Sequence, residues 1–193
     1  MARIILASQS PRRRQLLEQI GLEDFDILVP DADESYDPAL SPQEIVGSIC
    51  RKKAEAARAL AGDGDALLIA ADTMVFLDGL RLGKPHSQEE AHAMLRALSG
   101  RTHHVCTGVT VCRGERIDTR VETTGVAFRP LTDREIRCYI RTGEPMDKAG
   151  AYGVQGKAAL FVSGIDGDYF NVMGLPLHLL GQMLEDFGVD LFA

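Results

Sequence analysis

Nothing in the 193 residues could form a membrane-spanning helix, because no run approaches the ~18 apolar residues such a helix needs. The apolar stretch Ile4 to Ala7 is too short for a secretory leader, so a cytoplasmic setting is expected. The chain is also poor in base. Lys and Arg number 21 against 28 Asp and Glu, a net charge of −7, which argues against general binding of nucleic acid or anionic lipid. Any bound anion must therefore be gripped by a local cluster of cations. The four cysteines (Cys50, Cys106, Cys112, Cys138) show no CxxC pairing and fit buried thiols in a reducing compartment. His103, His104 and Cys106 lie close together, but their spacing matches no zinc pattern and the segment reads as a strand. Walker A, GxGxxG and GxSxG signatures are all missing, which removes the common nucleotide-binding and hydrolase readings. Repeats and Pro/Gly-rich linkers are missing too, so residues 1–193 read as one domain.

What is present is an ordinary globular composition, 45% hydrophobic and 25% charged. Short apolar strand-like runs alternate with capped helical patterns, which favours an α/β fold. Arg3 to Ala7 reads as a strand, followed by a helix capped at Ser10, with Pro11 first and Gly21 just past its end. A strand is expected over Phe25 to Val29. Ser41, Pro42 and Glu44 then open a long helix to about Ala61 through a capping box. Ala66 to Ala71 is a central-strand run, and Asp78-Gly79 a tight hairpin turn. Ser87 with Glu90 opens a helix closed by Gly100, and Thr132 with Glu135 opens another ending at Gly143. Long strands over His103 to Cys112 and Thr119 to Phe128 call for a mixed sheet. Leu160 to Ile165 and Tyr169 to Val172 are expected to form a hairpin about Asp166-Gly167, before a Leu-rich helix begins at Pro176.

Three features exceed what a core requires. In Ser8-Gln9-Ser10-Pro11-Arg12-Arg13-Arg14 a strand runs into a helix N-terminus, where free N–H groups, hydroxyls and guanidiniums suit a phosphate. Cations there oppose the helix dipole, so solvation alone is a poor explanation. Arg13 shares the face of Leu16, Leu17 and Ile20 and should reach toward a ligand or a buried acid. Lys53 falls at the centre of the stripe Ile45, Val46, Ile49, Cys50, Ala57 and Leu60, so it must either snorkel or pair with an anion. Asp72 directly follows the apolar run, and an acid beyond a strand end is either a turn cap or a working group. Asp31, Asp33 and Glu34 follow another strand end, and one of them could share a hard cation with Asp72. Lys84, between a Gly and a Pro, suits a second phosphate contact. Phosphate-grade cations with separate carboxylates suggest metal-dependent phosphate chemistry.

The segment Ala7-Ser8-Gln9-Ser10-Pro11-Arg12-Arg13 resembles the opening motif of the Maf family of nucleoside triphosphate pyrophosphatases. The similarity continues through Lys53, Ala71-Asp72-Thr73, Gly83-Lys84-Pro85, Leu98-Ser99-Gly100 and Thr107-Gly108-Val109. It is densest from Gly143-Glu144-Pro145 to Tyr152-Gly153-Val154-Gln155-Gly156, and ends with Asn171-Val172 and Gly174-Leu175-Pro176. The resemblance implies an inosine-triphosphatase-like α/β architecture, with a long mixed sheet and two lobes around a central cleft, usually as a homodimer. It implies hydrolysis of a nucleoside triphosphate to the monophosphate and pyrophosphate with a divalent cation (Mg²⁺, or Mn²⁺ or Co²⁺).

On that resemblance Asp72 is the proton acceptor and, with Glu34, a metal ligand. Arg12, Thr73 and Gln155 govern substrate choice, and Glu34, Lys53 and Lys84 occupy the remaining charged positions near the phosphates, to which the residue chemistry adds Ser8 and Arg13. The Asp147-to-Gly156 segment is similar to the branch acting on dTTP and UTP rather than the branch acting on 7-methyl-GTP. Two other readings remain: a non-enzymatic partner in septum formation, and a pyrophosphatase for modified purine nucleotides.

Overall fold

The computed structural model describes residues 3–62 and 64–192. Seven strands form one mixed sheet: β1 (Ile4–Ala7), β2 (Phe25–Ile27), β3 (Leu67–Leu77), β4 (Leu80–Leu82), β5 (Thr102–Arg113), β6 (Arg116–Phe128) and β7 (Val162–Asp166). Their order is β2-β1-β3-β5-β6-β7, with β4 paired to β3. β1 runs parallel to both β2 and β3, whereas β3–β4 and β6–β7 are antiparallel. Six helices accompany the sheet among the described residues: α1 (Pro11–Gln19), α2 (Pro42–Ala61), α3 (Gln88–Leu98), α4 (Asp133–Ile140), α5 (Tyr169–Met173) and α6 (Leu177–Asp186).

Local chemistry explains most boundaries. Ser41 and Thr132 each close a capping box, with Glu44 and Glu135 respectively, and Ser87 caps α3 by accepting from Glu90 N–H. Asp78 and Gly79 both adopt positive φ (51° and 78°), as a two-residue β3–β4 turn requires.

Six expectations need correction. Cys138 is exposed, unlike the other three cysteines, rather than a buried thiol. β2 stops at Ile27, two residues short. Ser10 occupies the N-cap position of α1, but its side chain makes no capping bond. Leu60 is exposed rather than part of the buried stripe of α2. Residues after Asp166-Gly167 form the short helix α5 rather than a strand, while Leu160 lies in a 3₁₀ turn. There Asp168 Oδ1 accepts from Phe170 N–H, and Asn171 Nδ2 donates to Val105 O and Thr124 Oγ1, so side-chain hydrogen bonds override the strand pattern. Most consequentially, β3 does not end at Ala71. It runs through Asp72 and Thr73 to Leu77, so Asp72 sits within a strand and not beyond one.

The chain forms two compact units. The first draws its residues from Met1–Asp72, Thr107–Glu122 and Gly174–Ala193, the second from Thr73–Cys106 and Thr123–Met173. In the first, Ile5, Ala7, Cys50, Ala54, Ala57, Leu68, Ala70 and Cys112 make a core that seats α2 on β1 and β3. In the second, His103, Phe128, Tyr152, Phe161 and Tyr139 pack edge-to-face with ring centroids 4.9–6.2 Å apart.

His103 and His104 occupy alternate strand positions, the first buried and the second exposed, so neither shares a metal-ligand face with the other. His103 Nε2 lies 2.8 Å from the Tyr152 hydroxyl, and burial pushes its imidazole down to about 4. Because its folded pKa lies below the unfolded value, the unfolded state alone takes up a proton between pH 6.5 and 4, and stability falls as pH drops through that window. Wild-type protein should lose about 3 kcal/mol more than His103→Gln over that interval in urea titrations. Parallel losses in the two proteins would contradict a neutral buried histidine.

Candidate active site

The first unit holds six of the nine sequence-predicted residues, five of them in two bonded groups. Lys53 lies on α2 twelve residues into the helix, and its Nζ donates to Asp72 Oδ1 at 2.5 Å and approaches Glu34 Oε1 at 2.8 Å. The alternative left open by periodicity is thereby resolved: the lysine pairs and does not merely snorkel. Burial alone would lower its pKa, but the charges and hydrogen bonds of Asp72 and Glu34 outweigh it and raise the ammonium above its ordinary value. Side-chain exposure is 19% for Lys53 and 13% for Asp72, so this pair is far better shielded from solvent than the Lys52–Asp33 pair nearby. Of the acidic cluster, Glu34 faces Lys53, whereas Asp33 is engaged by Ser35 and Lys52.

Ser8 and Arg13 are built into each other. The Ser8 hydroxyl accepts from Arg13 Nη1 at 3.0 Å and from the Ser10 N–H at 3.2 Å, while Arg13 Nε donates to Gly174 O at 2.7 Å. Burial depresses the guanidinium pKa, and the Asp72 charge opposes that depression. Arg13 thus reaches a hydroxyl, a carbonyl and the field of a buried acid, and fixes the β1–α1 junction while doing so. Arg12 is half-buried beside it.

A residue that the sequence reading treated as plain core anchors this arrangement. Cys50, one helical turn before Lys53, has its thiol 3.2 Å from Gly108 O and 3.5 Å from Ala70 O, and accepts from Thr110 Oγ1 at 3.3 Å. Burial pushes the thiol up to about 11, so it stays protonated and structural. The i, i+3 spacing of Cys50 and Lys53 is the available sequence signal, because both must face the sheet together. The close approach depends on Gly108, where a Cβ would stand 3.0 Å from Cys50 Cβ and 3.0 Å from Val46 O. Gly108→Ala should therefore cost about 1–3 kcal/mol in urea unfolding as an overpacked core. An unchanged midpoint would show that α2 shifts without strain.

The remaining three residues belong to the second unit. Thr73 follows Asp72 on β3 and is half-buried. Lys84 is exposed beside buried Pro85, on a loop tied down by the Gly150 N–H donating to Gly83 O at 3.0 Å. Gln155 is exposed in a turn closed by Gly156 N–H to Gly153 O, also 3.0 Å.

The donor chemistry suits a hard divalent cation. Two carboxylates converge on the Lys53 ammonium, and among the described residues no group of three or more His, Cys, Asp or Glu is placed to hold a metal. One or two carboxylates, with phosphate oxygens and water completing an octahedron, is the manner in which Mg²⁺ is held.

The first unit thus holds a lysine of α2 bonded to two carboxylates, Asp72 on β3 and Glu34 on the loop before α2, and a serine–arginine pair at the start of α1. The family model described as Maf-like protein matches residues 3–187, and the chain belongs to the Maf family. It is 49% identical over 193 residues to a protein of Symbiobacterium thermophilum named dTTP/UTP pyrophosphatase, covering 100% of this chain and 98% of the relative. Proteins of the same name from Bacillus pumilus and Moorella thermoacetica are each 50% identical, with 100% of this chain covered and 100% and 99% of theirs. Among solved structures, a HAM1 protein from Coxiella burnetii is similar at 17% identity and a TM-score of 0.47, over 96% of this chain and all of that one. No helix of the described residues is long and apolar enough to cross a membrane.

Proposed function

We propose that the protein hydrolyses dTTP, UTP and related pyrimidine nucleoside triphosphates to the monophosphate and pyrophosphate, by water attack at the α-phosphorus. The observation that carries the chemistry is the convergence of Asp72 and Glu34 on Lys53, one strand away from the Ser8–Arg13 helix entrance. Full-length relatives named dTTP/UTP pyrophosphatase, about half identical, support the substrate class.

In this reading Asp72 is the general base. Lys53 engages Oδ1 and orients the carboxylate, which leaves Oδ2 to take the proton of the attacking water. Ser8, Arg12, Arg13, Lys53 and Lys84 offset charge on the triphosphate, since phosphoryl transfer depends mainly on positioning and electrostatic stabilisation. Asp72 and Glu34 would hold a divalent cation, for which Mg²⁺ is the natural choice, with Mn²⁺ or Co²⁺ as substitutes. When bound, it neutralises charge developing on the phosphate oxygens. The roles of Thr73, Lys84 and Gln155 rest on the family resemblance. So does a homodimer, whereas action of residues 1–193 as one pyrophosphatase domain, a cytoplasmic setting and the lack of a nucleic-acid partner rest on the composition and charge of the chain.

Gln155 offers a donor and an acceptor together, the complement of N3–H and O4 of uracil or thymine. Gln155→Ala should lower the preference for dTTP over GTP by about 10-fold or more, measured as the ratio of kcat/KM values. A preference kept intact would remove Gln155 from base recognition. A panel of the common triphosphates with Mg²⁺, followed by pyrophosphate release, tests the whole reading. Turnover of dTTP and UTP above the purines is expected, and release from neither would refute it.

A further inference from the structure

The segment that presents Gln155 is held by two side chains to which no role is assigned above. The turn Gly153-Val154-Gln155-Gly156 has two feet, and both are pinned to one pair of side chains. On one side, Gly153 N–H donates to the Tyr139 hydroxyl at 3.1 Å; on the other, Lys157 N–H donates to Glu144 Oε2 at 3.1 Å. The pair itself is closed by the Tyr139 O–H donating to Glu144 Oε1 at 2.8 Å. Burial raises the Tyr139 phenol above its ordinary value, so it retains the proton it donates. Each oxygen of the carboxylate thus accepts one hydrogen bond, and the bracket spans Gln155 from both sides.

The glycines on either side show how close this bracket lies. A Cβ on Gly156 would coincide with the Glu144 carboxylate, and one on Gly153 would stand 2.7 Å from Lys148 Cε. Gly156 has φ −99°, a value any residue adopts, so it is space that requires glycine there. A loose side chain would swing aside at small cost, but this carboxylate is fixed at both oxygens. Lys148 Nζ also donates to the Glu144 carbonyl at 2.8 Å, which fixes the backbone from which Glu144 springs. The tyrosine ring is in turn packed edge-to-face on Phe161, with centroids 5.2 Å apart. A turn whose tip, Gln155 and Gly156, is exposed is therefore tied to the buried aromatic cluster through Tyr139 and Glu144.

We propose that Glu144, with Tyr139, is a specificity-positioning residue: it holds the Gln155 turn in one conformation and so sets discrimination between pyrimidine and purine triphosphates without touching them. This rests on the reading of Gln155 as the base-recognising side chain. A flexible Gln155 turn would populate the recognition geometry only part of the time, which weakens binding of the preferred substrate by that fraction. The cost falls on recognition and not on the attack at phosphorus, so it appears in KM more than in kcat.

The test uses Glu144→Gln and Tyr139→Phe in the full chain, beside wild type, Gln155→Ala and the Glu144→Gln/Gln155→Ala double variant. Glu144→Gln keeps the length but sets an NH₂ against one of two donors, and Tyr139→Phe removes the hydroxyl while keeping the ring. Each should lower the dTTP/GTP ratio of kcat/KM by about 10-fold, chiefly through a higher KM for dTTP. The double variant should be no worse than Gln155→Ala alone, because residues acting through one another are not additive. Read without any triphosphate, amide exchange at Gly153 and Lys157 should quicken in both variants.

Rates that fall equally for every triphosphate, or an unchanged ratio in a panel where Gln155→Ala erases it, would overturn the bracket and leave the functional reading standing. Amides that exchange as fast in wild type as in the variants would do the same. A wild-type protein that releases pyrophosphate from neither dTTP nor UTP would instead refute the functional reading and this inference together.

Discussion

Asp72→Asn should reduce kcat for dTTP by about 10³-fold, within the range lost when a positioned general base is removed. The substitution is nearly isosteric, so Lys53 keeps an oxygen acceptor, and the loss is in proton transfer and charge rather than in shape. KM should change little by comparison. The residual rate should resist rescue by added Mg²⁺, because an amide remains a poor base whatever cation is present. Near wild-type pyrophosphate release by this variant, with native stability, would show that Asp72 does not accept the proton.

Lys53→Met has the second-largest expected effect. It removes a cation to which both Asp72 and Glu34 are bonded. The lost charge stabilisation should cut kcat/KM by about 10²-fold, comparable to deletion of one preorganised electrostatic donor. Folded stability should fall as well, by about 1–3 kcal/mol, since a largely shielded carboxylate loses its partner. Lys53→Arg should recover part of the rate, because the charge returns on a wider group that cannot sit between both acids in the same way. If Lys53→Met binds and turns over dTTP normally, the ion pair serves only the fold. The 2.5 Å contact with Asp72 would then have no bearing on catalysis.

The sequence was informative where a feature is local. Capping boxes at Ser41 and Thr132 and the Asp78-Gly79 turn are each set within a few residues, and their positions follow from short-range hydrogen bonding. The central placement of Lys53 on an otherwise apolar stripe was legible too, because a helical wheel is enough to show it. What helical spacing could not supply was the identity of its partners, which lie 19 residues away in each direction and meet it only in the folded chain.

The failures share one cause. Asp72 interrupts an apolar run, so a polar pair looked like the end of a strand. In the folded chain Asp72 and Thr73 are two half-buried positions in an eleven-residue strand whose remaining positions are buried. Residues 169–172 carry the aromatic and β-branched composition of a strand, yet the Asn171 amide and Asp168 carboxylate satisfy backbone and side-chain groups that a strand would have left to a neighbour. Cys50 was read as core, which it is, but its role in fixing the turn of α2 before Lys53 depends on Gly108 and Ala70, on two other strands. Tertiary hydrogen bonds decide each of these cases.

Hydrolysis of dTTP in ¹⁸O-enriched water, with the two products separated and weighed by mass spectrometry, tests the central claim most directly. Attack at the α-phosphorus places one heavy oxygen in the nucleoside monophosphate and none in the pyrophosphate. Label recovered in pyrophosphate, or release of inorganic phosphate with a nucleoside diphosphate, would contradict the account.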